Sequence, residues 1–273
     1  MIRNKKIAFI GAGAMTEAIL SGLLEKNKIL GQNITILNKS NKTRLNYLIE
    51  TYGLAKLDDP VQQVRDAEII IFAMKPIDVE KALLKWKDII HSEQIIISVA
   101  AGIPTLTFEK ILPENNPVIR AMPNTSSAVG RSATAICTGK WANQHHLQIA
   151  EEIFAAIGIV VSVEEEMMDA VTGLSGSGPA YFYYMVEALE QAGVAAGLEP
   201  EIARTLTLQT ILGAAHMLAE TGKRPEQLRE EVTSPGGTTM AGLKVLRDYR
   251  VNQAIIQAVL RAKERSEEMG RVY

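Results

Sequence analysis

The sequence predicts an α/β chain in two parts: a doubly wound sheet over residues 1–165, then an all-helical part over residues 166–273. Two observations carry this reading. Six short runs in the first part are apolar at nearly every position, which suits parallel strands covered on both faces. After "VEEEMMDAV" (163–171) such runs cease and helical spacing takes over, and a change of that kind marks a domain boundary near residue 165.

In chain order, strands are expected at "KIAFIG" (6–11), "NITILN" (33–38), "EIIIFAM" (68–74), "QIIISVA" (94–100), "PVIRAM" (117–122) and "IGIVVSV" (157–163), with amphipathic stretches between them. In the second part, "YFYYMVEALEQAGVAAG" (181–197) and "VNQAIIQAVLRAKERSEEMG" (251–270) read as helices. From Pro179 to Gly197 only Glu187 and Glu190 are charged, so this helix is apolar around most of its circumference and needs cover on several sides. A partner subunit supplying part of that cover predicts a homo-oligomer.

At 273 residues and 47 % apolar composition, the chain can bury a sizeable core. A net charge of -2 suggests neither a nucleic-acid groove nor a polybasic membrane patch. The single cysteine, Cys137, has no internal disulfide partner and no metal-ligand neighbours, so an inert thiol and no metal site are expected. The first apolar run is stopped at once by Gly11, too short for a secretion signal or a membrane span, which predicts a cytoplasmic protein.

"IAFIGAGAMTEAIL" sets Gly11, Ala12, Gly13, Ala14 and Met15 between a strand and a helix. Glycines there permit a tight turn and close approach of backbone to a dinucleotide pyrophosphate at the helix N-terminus. The third small position is Thr16 rather than glycine. The second strand ends at Asn38, where an NAD-preferring site places an acid on the ribose 2′-hydroxyl. With Lys39, Ser40, Lys42 and Arg44 in the same loop, a 2′-phosphate meets donors and positive charge, so NADPH is preferred and NADH remains possible. Further loops fall at the carboxyl ends of strands: "FAMKP" with Ala73, Met74, Lys75 and Pro76; "SVAAGI" with Ala100 and Gly102; "RAMPNT" with Met122, Pro123 and Asn124, where Asn124 and Thr125 are expected to be exposed. They are candidates for contact with ribose and nicotinamide.

Reduction or oxidation of an alcohol needs a general base. His91, His145 and His146 lie in polar connecting or helix-start segments and His216 lies within a helix, so all four read as surface or packed residues. "GLSGSGPAYFYYMV" (173–186) resembles in glycine spacing a helix of the β-hydroxyacid dehydrogenases, but Phe182 and Val186 stand where that family has its catalytic lysine and an asparagine. A C=N substrate is already electrophilic and asks mainly for alignment and a hold on the rest of the molecule. "TSPGGTTMAGL" (233–243) offers one: Gly236 and Gly237 let successive N–H groups point at one spot, and the helix starting at Thr238 and Thr239 adds unpaired N–H groups and hydroxyls suited to a carboxylate. On these residues alone, a helix capped after a Pro-Gly turn fits equally well.

The stretch "PEQLREEVTSPGGTTMAGLKVL" (225–246) resembles the signature of the Δ1-pyrroline-5-carboxylate reductases, and "AVTGLSGSGPAYFY" (170–183), "AMKP" and "RAMPNT" are similar to other recurring segments of that family. The resemblance implies a Rossmann-type N-terminal domain and a helical C-terminal domain whose helices interleave with a partner's in a homodimer, with larger assemblies of such dimers. It implies that Ser234, Gly237, Thr238 and Thr239 hold the carboxylate of 1-pyrroline-5-carboxylate, that Thr239 hydrogen-bonds the imine nitrogen, and that the product is L-proline. The site is then expected between the nucleotide domain and this loop. Arg247 departs from the family pattern, as does the absence of an asparagine near Asp59 and Pro60. Two other readings stay open: another imine or hydroxy-acid reductase on the same fold, and a non-catalytic nucleotide-binding relative.

Overall fold

A computed structural model describes residues 2–55 and 58–271; Met1 and Tyr273, at the outer limits of the two expected domains, lie outside the described residues. Strands and helices alternate as β1 (Ile7–Ile10), α1 (Ala14–Glu25), β2 (Ile34–Leu37), α2 (Lys42–Tyr52), α3 (Pro60–Asp66), β3 (Ile69–Phe72), α4 (Pro76–Trp86), β4 (Ile95–Ser98), α5 (Thr105–Glu109) and β5 (Val118–Met122). Every residue of β1, β2, β3 and β4 is buried, as parallel strands with two covered faces require. The register pairs Ile7 with both Ile34 and Ile69, Ile69 with Ile95, and Ile96 with Val118. Alternate side chains feed two cores. Ile7, Phe9, Ile69 and Ile71 pack with Ile19, Leu20 and Leu23 of α1 on one face. Ala8, Ile10, Ile70 and Phe72 pack with Val79, Leu83 and Trp86 of α4 on the other, where Phe72 meets Phe108 edge-on at 5.4 Å between centroids.

One strand escapes the sequence reading. β6 (Ser132–Thr138, "SATAICT") runs antiparallel to β5, with Arg120 opposite Cys137. Apart from Ile136 its residues are small or carry hydroxyls, so it lacks the unbroken apolar run that marks the other inner strands. An antiparallel neighbour needs no crossover helix, and the link is the short 3₁₀ turn Thr125–Val129 closed by Gly130 at φ 67°. α6 (Gln144–Phe154) then leads to β7 (Gly158–Ser162), parallel to β6. Among the described residues the sheet order is β2-β1-β3-β4-β5-β6-β7. The outermost position of β7 leaves Ile159 and Val161 exposed, unlike the two-sided cover its sequence suggests.

After α7 (Met168–Val171) the backbone makes one π-helical turn, Thr172–Gly176, and continues into α8 (Gly178–Ala195), α9 (Pro200–Thr221), α10 (Pro225–Glu231), α11 (Thr238–Asp248) and α12 (Val251–Gly270). The chain forms two compact units, one holding residues up to Ser177 and from Leu260 onward, the other Gly178–Val259. This division falls later than the change of composition near residue 165. In the first unit, Arg120 is 4 % exposed and lies between Asp169 at 3.2 Å and Glu165 at 3.6 Å. Glu165 accepts the N–H and hydroxyl of Thr105 at 2.7 and 2.5 Å, and Asp169 accepts the hydroxyl of Ser266, from α12, at 2.6 Å. In the second unit, α8 packs on α9 where Gly193 leaves room for Ala203. Phe182, Tyr183, Tyr184, Leu206 and Leu212 remain exposed on the single chain. None of the helices among the described residues is long and apolar enough to cross a membrane.

Candidate active site

Because β1 to β5 are parallel, the loops after them gather along one edge of the sheet. The turn after β1 is shaped by its neighbours. Gly11 donates its N–H to the Leu37 carbonyl at 2.9 Å and sits at φ 121°, and a Cβ there would run into the Ala73 carbonyl. Ala12 is buried. Gly13, the N-cap of α1, faces open space, with extended backbone and no side chain capping the first turn. Ala14 is exposed, and Met15 is half-buried, its sulfur accepting from the Ser127 hydroxyl at 3.7 Å. Thr16 is fully buried and donates its hydroxyl to the Gly11 carbonyl at 2.9 Å, closing the turn that a third glycine would otherwise leave open. The space beside Gly13 and the uncapped N–H groups of α1 suit the pyrophosphate of a dinucleotide.

The loop after β2 carries no acid from Asn38 to Arg44. Asn38 is half-buried and donates through Nδ2 to the Asn41 carbonyl at 3.0 Å, while Lys39, Ser40 and Lys42 are exposed. Arg44 departs from the expectation that its charge faces a 2′-phosphate. Its guanidinium is folded back on α1, paired with Glu17 and donating through Nε to the Ala12 carbonyl at 3.2 Å. A carboxylate and a carbonyl within reach capture the side chain before it extends into the loop.

Of the remaining loops, Ala73 is buried, Met74 half-buried and Lys75 exposed, with Pro76 opening α4. Ala100 is buried, and its N–H donates to the Ser98 hydroxyl at 3.3 Å. Gly102, at φ 73°, is buried against α12: a Cβ would stand 3.1 Å from the Ser266 carbonyl oxygen and 3.2 Å from Met269 Cβ. Helix packing therefore accounts for that glycine. Met122 and Gly176 of the π-helical turn meet so closely that a Cβ on Gly176 would stand 2.5 Å from Met122 Cε. Pro123 is buried. Asn124 is buried rather than exposed, because both ends of its side-chain amide are hydrogen-bonded inside the protein: Oδ1 accepts from the Ser126 N–H at 3.1 Å and Nδ2 donates to the Ser175 carbonyl at 3.0 Å. It clips the loop after β5 to the π-helical turn, and Thr125 alone of the pair is exposed.

In the second unit, Ser234 accepts the N–H of Gly237 at 3.0 Å, with Pro235 and Gly236 between them and Gly236 at φ 72°. This is the sequence and sign of a type II turn. A Cβ on Gly237 would collide with the Ser234 hydroxyl. Gly237 is the N-cap of α11, with no side-chain cap, and Thr238 and Thr239 open the helix with both side chains exposed. The uncapped N–H groups and two hydroxyls make a donor set for a carboxylate.

The histidines lie elsewhere. His91, His145 and His146 line a cavity of about 290 Å³ with Lys5, Glu68 and Gln94, at the amino ends of the strands. His146 Nδ1 accepts the Asn143 N–H at 3.1 Å in the cap of α6, and burial, with His145 nearby, holds its pKa below the ordinary value. His216 is exposed and pairs with Glu220. Burial, aided by Glu165, pushes the Cys137 thiol up to about 12.

Residues 165–269 match the family model for pyrroline-5-carboxylate reductase dimerisation, and residues 6–102 match that for NADP oxidoreductase, coenzyme F420-dependent. Pyrroline-5-carboxylate reductase 1 of Bacillus spizizenii is 46 % identical over 267 residues, covering 98 % of this chain and 90 % of the relative. The solved pyrroline-5-carboxylate reductase of Coxiella burnetii superposes with a TM-score of 0.89 at 36 % identity, covering 98 % of this chain and 99 % of the other. That of Plasmodium falciparum, solved with NADP bound, gives 0.87 at 31 %, with the same coverage. A glycine turn on a parallel sheet edge, a Ser-Pro-Gly-Gly turn at a helix start, and likeness at this level along the whole chain agree: the chain belongs to the pyrroline-5-carboxylate reductase family.

Proposed function

We propose that this chain catalyses the NADPH-dependent reduction of 1-pyrroline-5-carboxylate to L-proline, the last step of proline biosynthesis, with NADH as a second donor. Membership of the family carries the reading, and the Plasmodium falciparum relative with NADP bound supports the cofactor. Residues 1–165 bind the dinucleotide, and residues 166–273 bind the substrate and dimerise, interleaving with a partner that covers the exposed aromatic residues of α8. Dimers of this kind assemble further. The enzyme works in the cytoplasm.

When bound, the reduced nicotinamide supplies the hydride that adds to the imine carbon. The chain's own residues bind and orient. Gly11, Ala12, Gly13, Ala14 and Met15 hold the pyrophosphate at the start of α1; Asn38, Lys39 and Ser40 line the ribose; Ala73 to Pro76, Ala100, Gly102 and Met122 to Asn124 shape the edge along which the cofactor lies. Ser234, Gly236, Gly237 and Thr238 hold the substrate carboxylate. Thr239 donates a hydrogen bond to the ring nitrogen, directly or through a water it orients, where the new N–H proton is placed.

The test is the substrate-dependent loss of NADPH absorbance with purified protein and pyrroline-5-carboxylate, repeated with NADH. Rapid oxidation, faster with NADPH, is expected. A folded protein that binds nucleotide yet consumes neither cofactor overturns the reading.

A further inference from the structure

Arg44 is the arginine that the sequence places beside the cofactor ribose, yet its guanidinium is engaged elsewhere. Nη2 pairs with Glu17, Nε donates to the Ala12 carbonyl at 3.2 Å, and the group lies 5.3 Å from the centroid of the Tyr47 ring. Its backbone is held too: the N–H of Arg44 donates at 2.9 Å to the Asn41 side chain that caps α2. Glu17 also accepts from the Tyr52 hydroxyl at 3.4 Å. The side chains of Arg44 and Glu17 are 28 % and 26 % exposed, so the pair is partly withdrawn from water and screened less than surface charges.

Glu17 is the residue that asks for an explanation. It stands in the first turn of α1, the helix whose uncapped N–H groups face the open space beside Gly13. A helix N-terminus welcomes one anion there, but a carboxylate and a pyrophosphate at the same end repel each other. The geometry points to Arg44 as a positioning residue for the cofactor: it cancels the charge of Glu17 and braces the Ala12 carbonyl, so that the glycine turn keeps a positive potential for the pyrophosphate. It does not read the 2′-phosphate. Choice between NADPH and NADH then falls to Lys39 and Ser40, exposed on the loop after β2, and to Lys42, exposed at the start of α2. This inference rests on the function proposed above and deepens it.

The experiment titrates NADPH and NADH separately into wild type, Arg44→Gln, Glu17→Gln and the double variant, following nucleotide fluorescence, and records the melting temperature of each without nucleotide. Arg44→Gln is expected to weaken both nucleotides by a similar factor, about tenfold, or about 1.4 kcal/mol. Glu17→Gln alone stays within about threefold of wild type, and adding it to Arg44→Gln restores both affinities to that range, a coupling that lost packing does not produce. A loss for NADPH tenfold greater than for NADH overturns the inference, because Arg44 would then contact the 2′-phosphate. Failure of Glu17→Gln to restore binding overturns it as well, whether or not the melting temperature falls. Wild type that binds neither nucleotide overturns the proposed function itself, whereas wild type that binds normally while the variants misbehave removes this inference alone.

Discussion

α1 and α11 both begin on an N-cap glycine in extended backbone, Gly13 at φ -78° and ψ -177° and Gly237 at φ -78° and ψ 169°, and in neither does a side chain cap the first turn. What precedes them differs. Gly11 is wedged against the Ala73 carbonyl and its N–H is tied to Leu37, so the first turn is shaped by two neighbouring strands. The turn before α11 is closed by its own residues, Ser234 to Gly237, and a Cβ at Gly236 would meet nothing within 4 Å. One uncapped helix start is thus shaped by the sheet core and the other by local turn chemistry. The first, altered at Gly11, should break in the fold, whereas the second should break in function.

The largest effect expected is from Gly11→Ala, which adds a collision with backbone to a φ of 121°; strain of this kind costs about 1–3 kcal/mol before the clash is counted. Thermal unfolding should show a melting temperature well below wild type, and an unchanged one would mean the β1 turn yields more than its contacts imply. Gly13→Val should separate binding from folding. A Cβ at this position meets nothing within 4 Å, so the melting temperature should hold while NADPH affinity drops by about a hundredfold, or about 2.7 kcal/mol. Retained tight binding would remove the pyrophosphate from this turn. Thr239→Val should lower kcat/KM for pyrroline-5-carboxylate by about tenfold or more, consistent with loss of one hydrogen bond worth about 1.4 kcal/mol, with NADPH affinity unchanged. Equal efficiency would take the hydroxyl out of the reaction.

Gly236→Ala is milder: a φ of 72° costs a residue with a Cβ about 1 kcal/mol, felt as a small fall in melting temperature together with a raised KM. A drop in melting temperature as large as that of Gly11→Ala would erase the contrast between the two turns. The last effect concerns Cys137 and is absent at neutral pH, emerging only in alkali. Its thiol is pushed up to about 12 in the folded chain, so the unfolded chain ionises first and stability falls as pH rises above the ordinary value near 9. The slope is at most about 1.4 kcal/mol per pH unit. Urea midpoints compared at pH 8 and 10.5 should show it, and Cys137→Ala should flatten it.

Where the sequence reads well, the reason is local. Ile69 to Phe72 and Ile95 to Ser98 declare buried strands because every position is covered in a parallel sheet. The turn at Gly11 to Gly13 declares itself through the strand before it and the helix after it. β6 is hidden because its alanines, serine and threonines break up the apolar run, leaving Ile136 as its one large apolar residue beside an antiparallel neighbour. The side chain of Asn124 is buried by a partner 51 residues away, and Arg44 is turned from the loop by a carboxylate 27 residues away. Pairings at that distance leave no periodic trace in the chain, so a polar residue in a loop looks exposed until the fold brings its partner close.

α12 belongs to both compact units, with Val251–Val259 in one and the remainder, from Leu260, in the other. This has a consequence for synthesis. The unit that carries the glycine turn finishes its sheet early, yet Asp169 waits for the hydroxyl of Ser266, and Gly102 waits for the helix backbone that fills the space beside it. A ribosome must deliver all of Gly178–Val259 before that unit can close. A nascent chain halted at Val259 would hold every residue of the helical unit while the first unit still lacked the last part of α12.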